Sequence, residues 1–264
     1  MDQKAESQGQ QTGKKDQQTA KKDQQTAKKD QKTGTLTQLP LYQKAKKAYT
    51  SRHKSSKQHY QAFLLWKQLA DQHPRDLEAQ IWCARTAYYA GHRVRDTNKS
   101  LMKKIFKQGM QCRRHLLKWH AKSTRGQIWA ILINFKHSIA DSFIPPVSKI
   151  EKVVRQLEKM VAQKTKNHMP FMMLGALYRE LPGWPVSIGD EKKSMRYLKQ
   201  GLKYAGTNAE YLLELAATYQ ALDQDKLARQ TYQKCIKKGS GHADLQWEAQ
   251  DARQWAKHML SQLD

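Results

Sequence analysis

The stretch from 209 to 236 constrains this chain more than any other, because its apolar residues form two helical stripes separated by a tight turn. Leu212, Leu215, Ala216, Tyr219 and Leu222 make the first stripe; Ala228, Tyr232, Cys235 and Ile236 make the second. Spacings of three and four residues place each set on one face of a helix. Two antiparallel helices joined at 222–225 can therefore bury their stripes on each other, with the small Ala216 and Ala228 where the axes cross closely. The preceding segment repeats the arrangement: Phe171, Leu174, Gly175 and Tyr178 mark a first helix, and Ser194, Leu198, Gly201 and Leu202 a second. A loop at 181–190, several residues longer than a tight turn, lies between them. Upstream, Ala62, Trp66, Leu69 and Pro74 have the spacing of a second helix and its terminating proline, and 77–90 reads as the next first helix.

These positions resemble the tetratricopeptide repeat, a 34-residue helix-turn-helix unit that stacks into a solenoid. Leu212 stands at the large fourth position, Leu215 and Ala216 at the Leu-Gly pair, and Asp223 replaces the turn glycine. The resemblance implies an all-α solenoid of antiparallel helix pairs whose inner surface is formed by first helices. It makes Met169, Met172, Ala176, Arg179, Leu213, Ala217 and Gln220 groove positions, with Met169 and Met172 equally suited to the core. The order of features from 126 to 205 is also similar to the T subunit of tripartite ATP-independent periplasmic transporters. Ile128 and Trp129, then Leu174, Gly175 and Tyr178, then Leu181, Pro182 and Gly183, and the run 187–194 carry that similarity. It implies a periplasmic lipoprotein, an accessory subunit of solute transport working beside a solute-binding protein, whereas this sequence shows neither an export signal nor a lipid-bearing cysteine near its start. Animal regulators of microtubule dynamics share a similar Leu-Gly and inserted-loop arrangement.

Residues 1–34 contain a seven-residue repeat built on Gln, Thr, Lys and Asp. With no apolar seam to bury, it is expected to be disordered rather than a coiled coil. The division is thus a low-complexity tail over 1–38 and a helical repeat domain over 39–264. Further helices are expected near 41–49, 56–72, 97–120 and 126–142; Pro145 and Pro146 then break the chain, and Ser148 with Glu151 has capping-box spacing. Ile150, Val153, Val154, Leu157, Met160 and Val161 form the clearest amphipathic stripe. The glycines Gly206 and Gly239 are placed to end helices in left-handed conformation. The segment 242–262, with Leu245, Trp247, Ala252, Trp255, Ala256 and Met259, reads as a helix capping the last repeat.

The formal charge is +25, of which +16 falls within residues 35–125. Lys103, Lys104, Lys107, Arg113, Arg114 and Lys118 lie on one helix and offer an alternative function, binding nucleic acid or another anionic surface. No zinc finger, RNP aromatic motif or KH loop accompanies them, and a solvated outer face explains them as well. No apolar run is long enough for a signal peptide or a transmembrane helix, so a cytoplasmic location is expected, or a periplasmic one if the native start differs.

Chemistry leaves little trace. The ten histidines form no HExxH, His115 and His120 are five apart, and no phosphate loop or nucleophile elbow occurs, so no catalytic residue, metal site or cofactor is expected. Cys83, Cys112 and Cys235 are far apart and read as small apolar helix residues without a disulfide framework. Asp190, beside Glu180 and Glu191, is placed to cap a helix. Trp184, in the inserted loop with two prolines and two glycines, joins no stripe and serves either as a plug or in recognition. The chain therefore reads as a noncatalytic helical scaffold that binds a protein segment or apolar ligand in its groove, through Met169, Met172, Arg179, Trp184, Leu213 and Gln220. Nothing in it fixes an oligomeric state.

Overall fold

The computed structural model describes residues 35–142 and 146–263; the heptad tail expected to be disordered lies outside the described residues. Eleven α-helices are formed among the described residues: α1 (Pro40–Thr50), α2 (Ser56–Gln72), α3 (Leu77–Val94), α4 (Lys99–Trp119), α5 (Thr124–Ile139), α6 (Val147–Ala162), α7 (Met169–Glu180), α8 (Glu191–Ala205), α9 (Ala209–Ala221), α10 (Asp225–Lys238) and α11 (Gln246–Ser261). No strand is formed among these residues. A 3-10 turn at Leu36–Gln38 precedes α1, and Leu36 and Leu39 already pack against the core, ahead of the expected start at 39.

Helix starts are set by side chains that accept from otherwise unpaired backbone N–H groups. Asp76 accepts from Ala79 N at 2.8 Å, Asn98 from Leu101 N at 2.8 Å, Asp190 from Lys193 N at 2.8 Å and Asn208 from Tyr211 N at 2.9 Å. The capping box at Ser148 and Glu151 does not form: α6 begins at Val147 directly behind Pro146, so Ser148 is already inside the helix. The turn between α9 and α10 places Asp223 at φ 55°, the left-handed position where the repeat commonly has glycine. Gly206 is left-handed as expected (φ 58°), whereas Gly239 ends α10 at φ −61° and needs no such freedom.

Neighbouring helices pack as antiparallel pairs, and the odd-numbered ones also contact one another, α3 with α5, α7 with α9 and α9 with α11. Close approach within the repeats depends on missing side chains. A Cβ at Gly175 would stand 2.5 Å from Leu198 Cγ, and one at Gly201 2.5 Å from Phe171 Cβ, so both positions accept only glycine without repacking. At the front of the domain, Trp66 is fully buried and stacks on Trp82 with ring centroids 4.6 Å apart, and Tyr49 meets Trp82 edge-on at 4.9 Å.

Two features depart from the sequence expectation. Cys83 and Cys112 are not independent apolar residues: both are buried, and a disulfide joins them across the α3–α4 packing, with Cα atoms 6.1 Å apart. Cys235 remains a free buried thiol. Moreover, α11 does more than cap the last repeat. Its Ala249, Ala252 and Ala256 bury against the C-terminal repeat, while its other side meets the front of the domain. Arg52 Nη2 donates to both oxygens of Glu248 at 2.5 and 2.6 Å, Trp247 Nε1 donates to Thr50 O at 3.0 Å, and the rings of His53 and Trp247 stack at 3.4 Å. Lys46 pairs with Asp244, and Arg93 with Asp251 at 2.8 Å. The solenoid thus curls until its ends meet.

Candidate functional site

Closing the solenoid encloses the inner faces of the odd-numbered helices, and two concavities result. The central one, about 590 Å³, is bounded by α3, α5, α7, α9 and α11. Its wall mixes aromatic and thioether side chains, among them Tyr88, Tyr89, Trp129, Met169, Met172 and Trp247, with ionisable ones, among them His59, His92, Glu210 and Glu248. The second, about 630 Å³, lies over α7, α9 and the end of α11, lined by Arg179, Leu213, Ala217, Gln220, Trp255 and Met259. Trp255 borders both and is 58 % exposed.

Five of the six expected groove residues therefore reach the concave side, divided between two sites: Met169 and Met172 in the central cavity, Arg179, Leu213 and Gln220 in the outer depression. Arg179 is held rather than free, pairing with Glu214 and Glu180, each at 2.8 Å. Gln220 accepts from Tyr232 Oη at 2.9 Å, which leaves its amide N–H2 for a ligand. Trp184 does not join them. The inserted loop is pinned at its base, where Asp190 N donates to Tyr178 O at 2.8 Å and Gly189 N to Pro182 O at 2.9 Å; Ser187 is buried, and Trp184 is 89 % exposed beside the exposed Val186. The loop is an ordered turn that presents two apolar side chains outward rather than a plug.

Glu210, Tyr88, Trp129 and the outward role of Trp255 were missed by sequence reasoning. The six residues marked for anion binding lie on α4, and Lys103, Lys107, Arg114 and Lys118 fall within about 60° of its circumference at 100° per residue. All four are exposed. Lys103 pairs with Asp141 and Lys118 lies 4.3 Å from the Trp119 ring centre; Lys104, Lys107, Arg113 and Arg114 make no ion pair among the described residues. None of the six lines the concavity of about 740 Å³ beside this helix, where Lys99, Met102, Phe106, Lys136 and His92 converge. There burial, with Arg95, pushes the Lys136 ammonium down to about 8.

Electrostatics in the central cavity are dominated by desolvation. Burial holds His59 down at about 3 and His92 at about 4, and lowers His168 too, so all three are neutral near neutrality. Burial, then the carboxylate of Glu248, pushes Glu210 up to about 7. Among the described residues no group of three or more His, Cys, Asp or Glu side chains is placed to hold a metal ion, and no helix is long and apolar enough to cross a membrane.

No family model matches the chain, and neither does any curated protein. Neither comparison supports the similarity to the transporter T subunit. Among solved structures, a crystal structure of a thermophilic TPR protein of Thermus thermophilus is similar, with a TM-score of 0.51 and 17 % identity, over 74 % of this chain and 90 % of that one. The likeness shows a tetratricopeptide-like helical repeat fold.

Proposed function

We propose that the chain is a noncatalytic helical-repeat scaffold that holds a segment of a partner protein in the outer depression of its concave side. One observation carries this reading: Trp255, 58 % exposed, lines one depression together with the apolar Leu213, Ala217 and Met259 and the polar Gln220 and Arg179. A few residues carry most of the energy of a protein interface, and tryptophan is among the types enriched at such positions once a partner desolvates it; a helix laid in a groove is held by its apolar face. The repeat fold supports a protein partner over a small substrate.

Trp255→Ala should leave stability nearly unchanged, since the side chain is already largely in water, while weakening partner capture by about 2 kcal/mol or more, roughly thirtyfold. Capture from the native cell with the wild type, Trp255→Ala and Trp184→Ala checks it. Loss with Trp255→Ala is the expected result, and a partner lost only with Trp184→Ala would move the interface to the inserted loop. Equal recovery by all three would remove both surfaces.

The stripe of Lys103, Lys107, Arg114 and Lys118 favours a second reading, association with an anionic surface, because its members are exposed and aligned. Such binding would fall steeply with salt, whereas capture at Trp255 would not. The Cys83–Cys112 disulfide favours an oxidising compartment, and with it the periplasmic alternative over the cytoplasmic one.

A further inference from the structure

We propose that the central cavity binds a small organic cation, an amine or quaternary ammonium with an aromatic or branched apolar part, its charged head against Glu210. This goes beyond the partner-binding reading and uses a different site, which shares only Trp255 with the outer depression.

The cavity, at about 590 Å³, has the size of a small-molecule pocket and is too large for one inserted side chain. Its wall is unusual in what it leaves unpaired. Glu248 is committed to Arg52, Asp251 to Arg93 at 2.8 Å, and Asp96 to Arg95 at 3.0 Å. Glu210 has no hydrogen bond and no ion pair among the described residues. Nor does its helix need it as a cap, because Asn208 already accepts from Tyr211 N. The Glu210 carboxyl is hemmed in by protein, yet it keeps surface open to the cavity. A carboxylate in that position costs the empty protein stability unless something pairs with it.

The surroundings specify a cation. Glu248, Glu214 and Asp251 act on Glu210 in the same sense and Arg85 opposes them, but each of the three is paired with an arginine, Arg52, Arg179 and Arg93 in turn, so the uncompensated negative charge of the wall is that of Glu210 itself. Arg85 is itself engaged, donating from Nη2 to Asp244 O at 3.1 Å and lying 4.6 Å from the Trp82 ring centre. His59, His92 and His168 line the cavity but are kept neutral by burial, so they do not repel a cation near neutrality. Arg93, the remaining cationic group of the lining, is neutralised by Asp251. Of the aromatic lining, Tyr88 already has the Lys136 ammonium 5.4 Å from its ring centre and Trp129 the Arg85 guanidinium at 5.9 Å, which leaves Tyr89 as the ring of this group available to an ammonium ligand. The overall charge of +25 opposes approach from a distance, but that repulsion is screened within about 8–10 Å at physiological salt, whereas the contact at Glu210 is not.

The sign of the pH effect follows. With its carboxyl pushed up to about 7, Glu210 is mostly protonated below pH 6, and pairing with a cation requires the ionised form. Affinity should therefore rise as the pH is raised through 7, with a proton released on binding. In the empty protein the raised value has the opposite effect: stability falls as the carboxyl ionises between its ordinary value and about 7.

The test compares 2-phenylethylammonium, 2-phenylethanol and phenylacetate by tryptophan fluorescence, using the full chain and its Glu210→Gln variant. The wild type should bind the ammonium saturably, the alcohol at least roughly tenfold more weakly, and the carboxylate not at all. Glu210→Gln should abolish the preference yet melt no lower, and at pH 8 higher, than the wild type, which a purely structural glutamate would not do. Equal binding of all three probes, no binding of the ammonium at millimolar concentration, or a preference retained by Glu210→Gln would overturn the proposal. Partner capture is read separately through Trp255→Ala, so failure of one reading leaves the other standing.

Discussion

Replacing Arg52 with methionine should destabilise the folded chain by about 3–5 kcal/mol, the largest effect expected of any charged residue here. The guanidinium is 2 % exposed. It binds both oxygens of Glu248, donates from Nη1 to Tyr49 O at 2.8 Å and lies 3.6 Å from the centre of the Tyr49 ring. Removing it strands the Glu248 carboxylate, whose side chain is only 11 % exposed, against apolar surface. The cost comes from that stranded charge more than from the lost contact, so the double variant Arg52→Met with Glu248→Met should recover most of it. Denaturant unfolding of the two single variants and the double one gives the coupling directly. By contrast, Arg93 and Asp251, each about half exposed, form a pair worth about 0–1 kcal/mol. Of the polar contacts between α11 and the front of the domain, one pair therefore carries most of the energy.

Breaking the Cys83–Cys112 disulfide should cost about 3–4 kcal/mol, the loop-closure entropy of a cross-link spanning some 30 residues. Because both sulfurs are fully buried, reduced thiols can stay packed as small apolar groups, so the loss should come chiefly from a freer unfolded chain. Unfolding with and without dithiothreitol measures it, with the Cys83→Ala, Cys112→Ala double variant as the control that reductant should no longer affect. The third cysteine should not interfere, since burial pushes its thiol up to about 11. An unchanged midpoint on reduction would mean that the two sulfurs are not joined in solution.

Local periodicity carried the architecture into view. Leu212, Leu215, Ala216 and Tyr219 placed α9 correctly, Gly175 and Gly201 mark real close approaches, and Asp223 takes the left-handed turn position. Such features depend on neighbours three or four residues away, and a sequence displays those. The disulfide was not legible, because helical spacing says nothing about which residues 29 apart will face each other. The meeting of the ends was hidden for the same reason, Arg52 and Glu248 being 196 residues apart. That contact also changes the meaning of α11. Trp247 and Trp255 read as core residues of a cap, yet the helix turns alanines toward the repeat and tryptophans toward the concave side. Glu210 escaped notice because a first-turn glutamate is ordinary in a sequence, and only enclosure by distant helices makes it exceptional.

The concave side is enclosed only because the front of the domain meets α11, and that meeting can be measured as a distance. Nitroxide labels on exposed cysteines introduced at Lys47 and Gln250 would report the separation of α1 and α11 by pulsed dipolar spectroscopy. A single short distance in the wild type, broadening and lengthening in Arg52→Met, is the expected result. A long, broad distribution already present in the wild type would mean an open solenoid, with no enclosed cavity at Glu210.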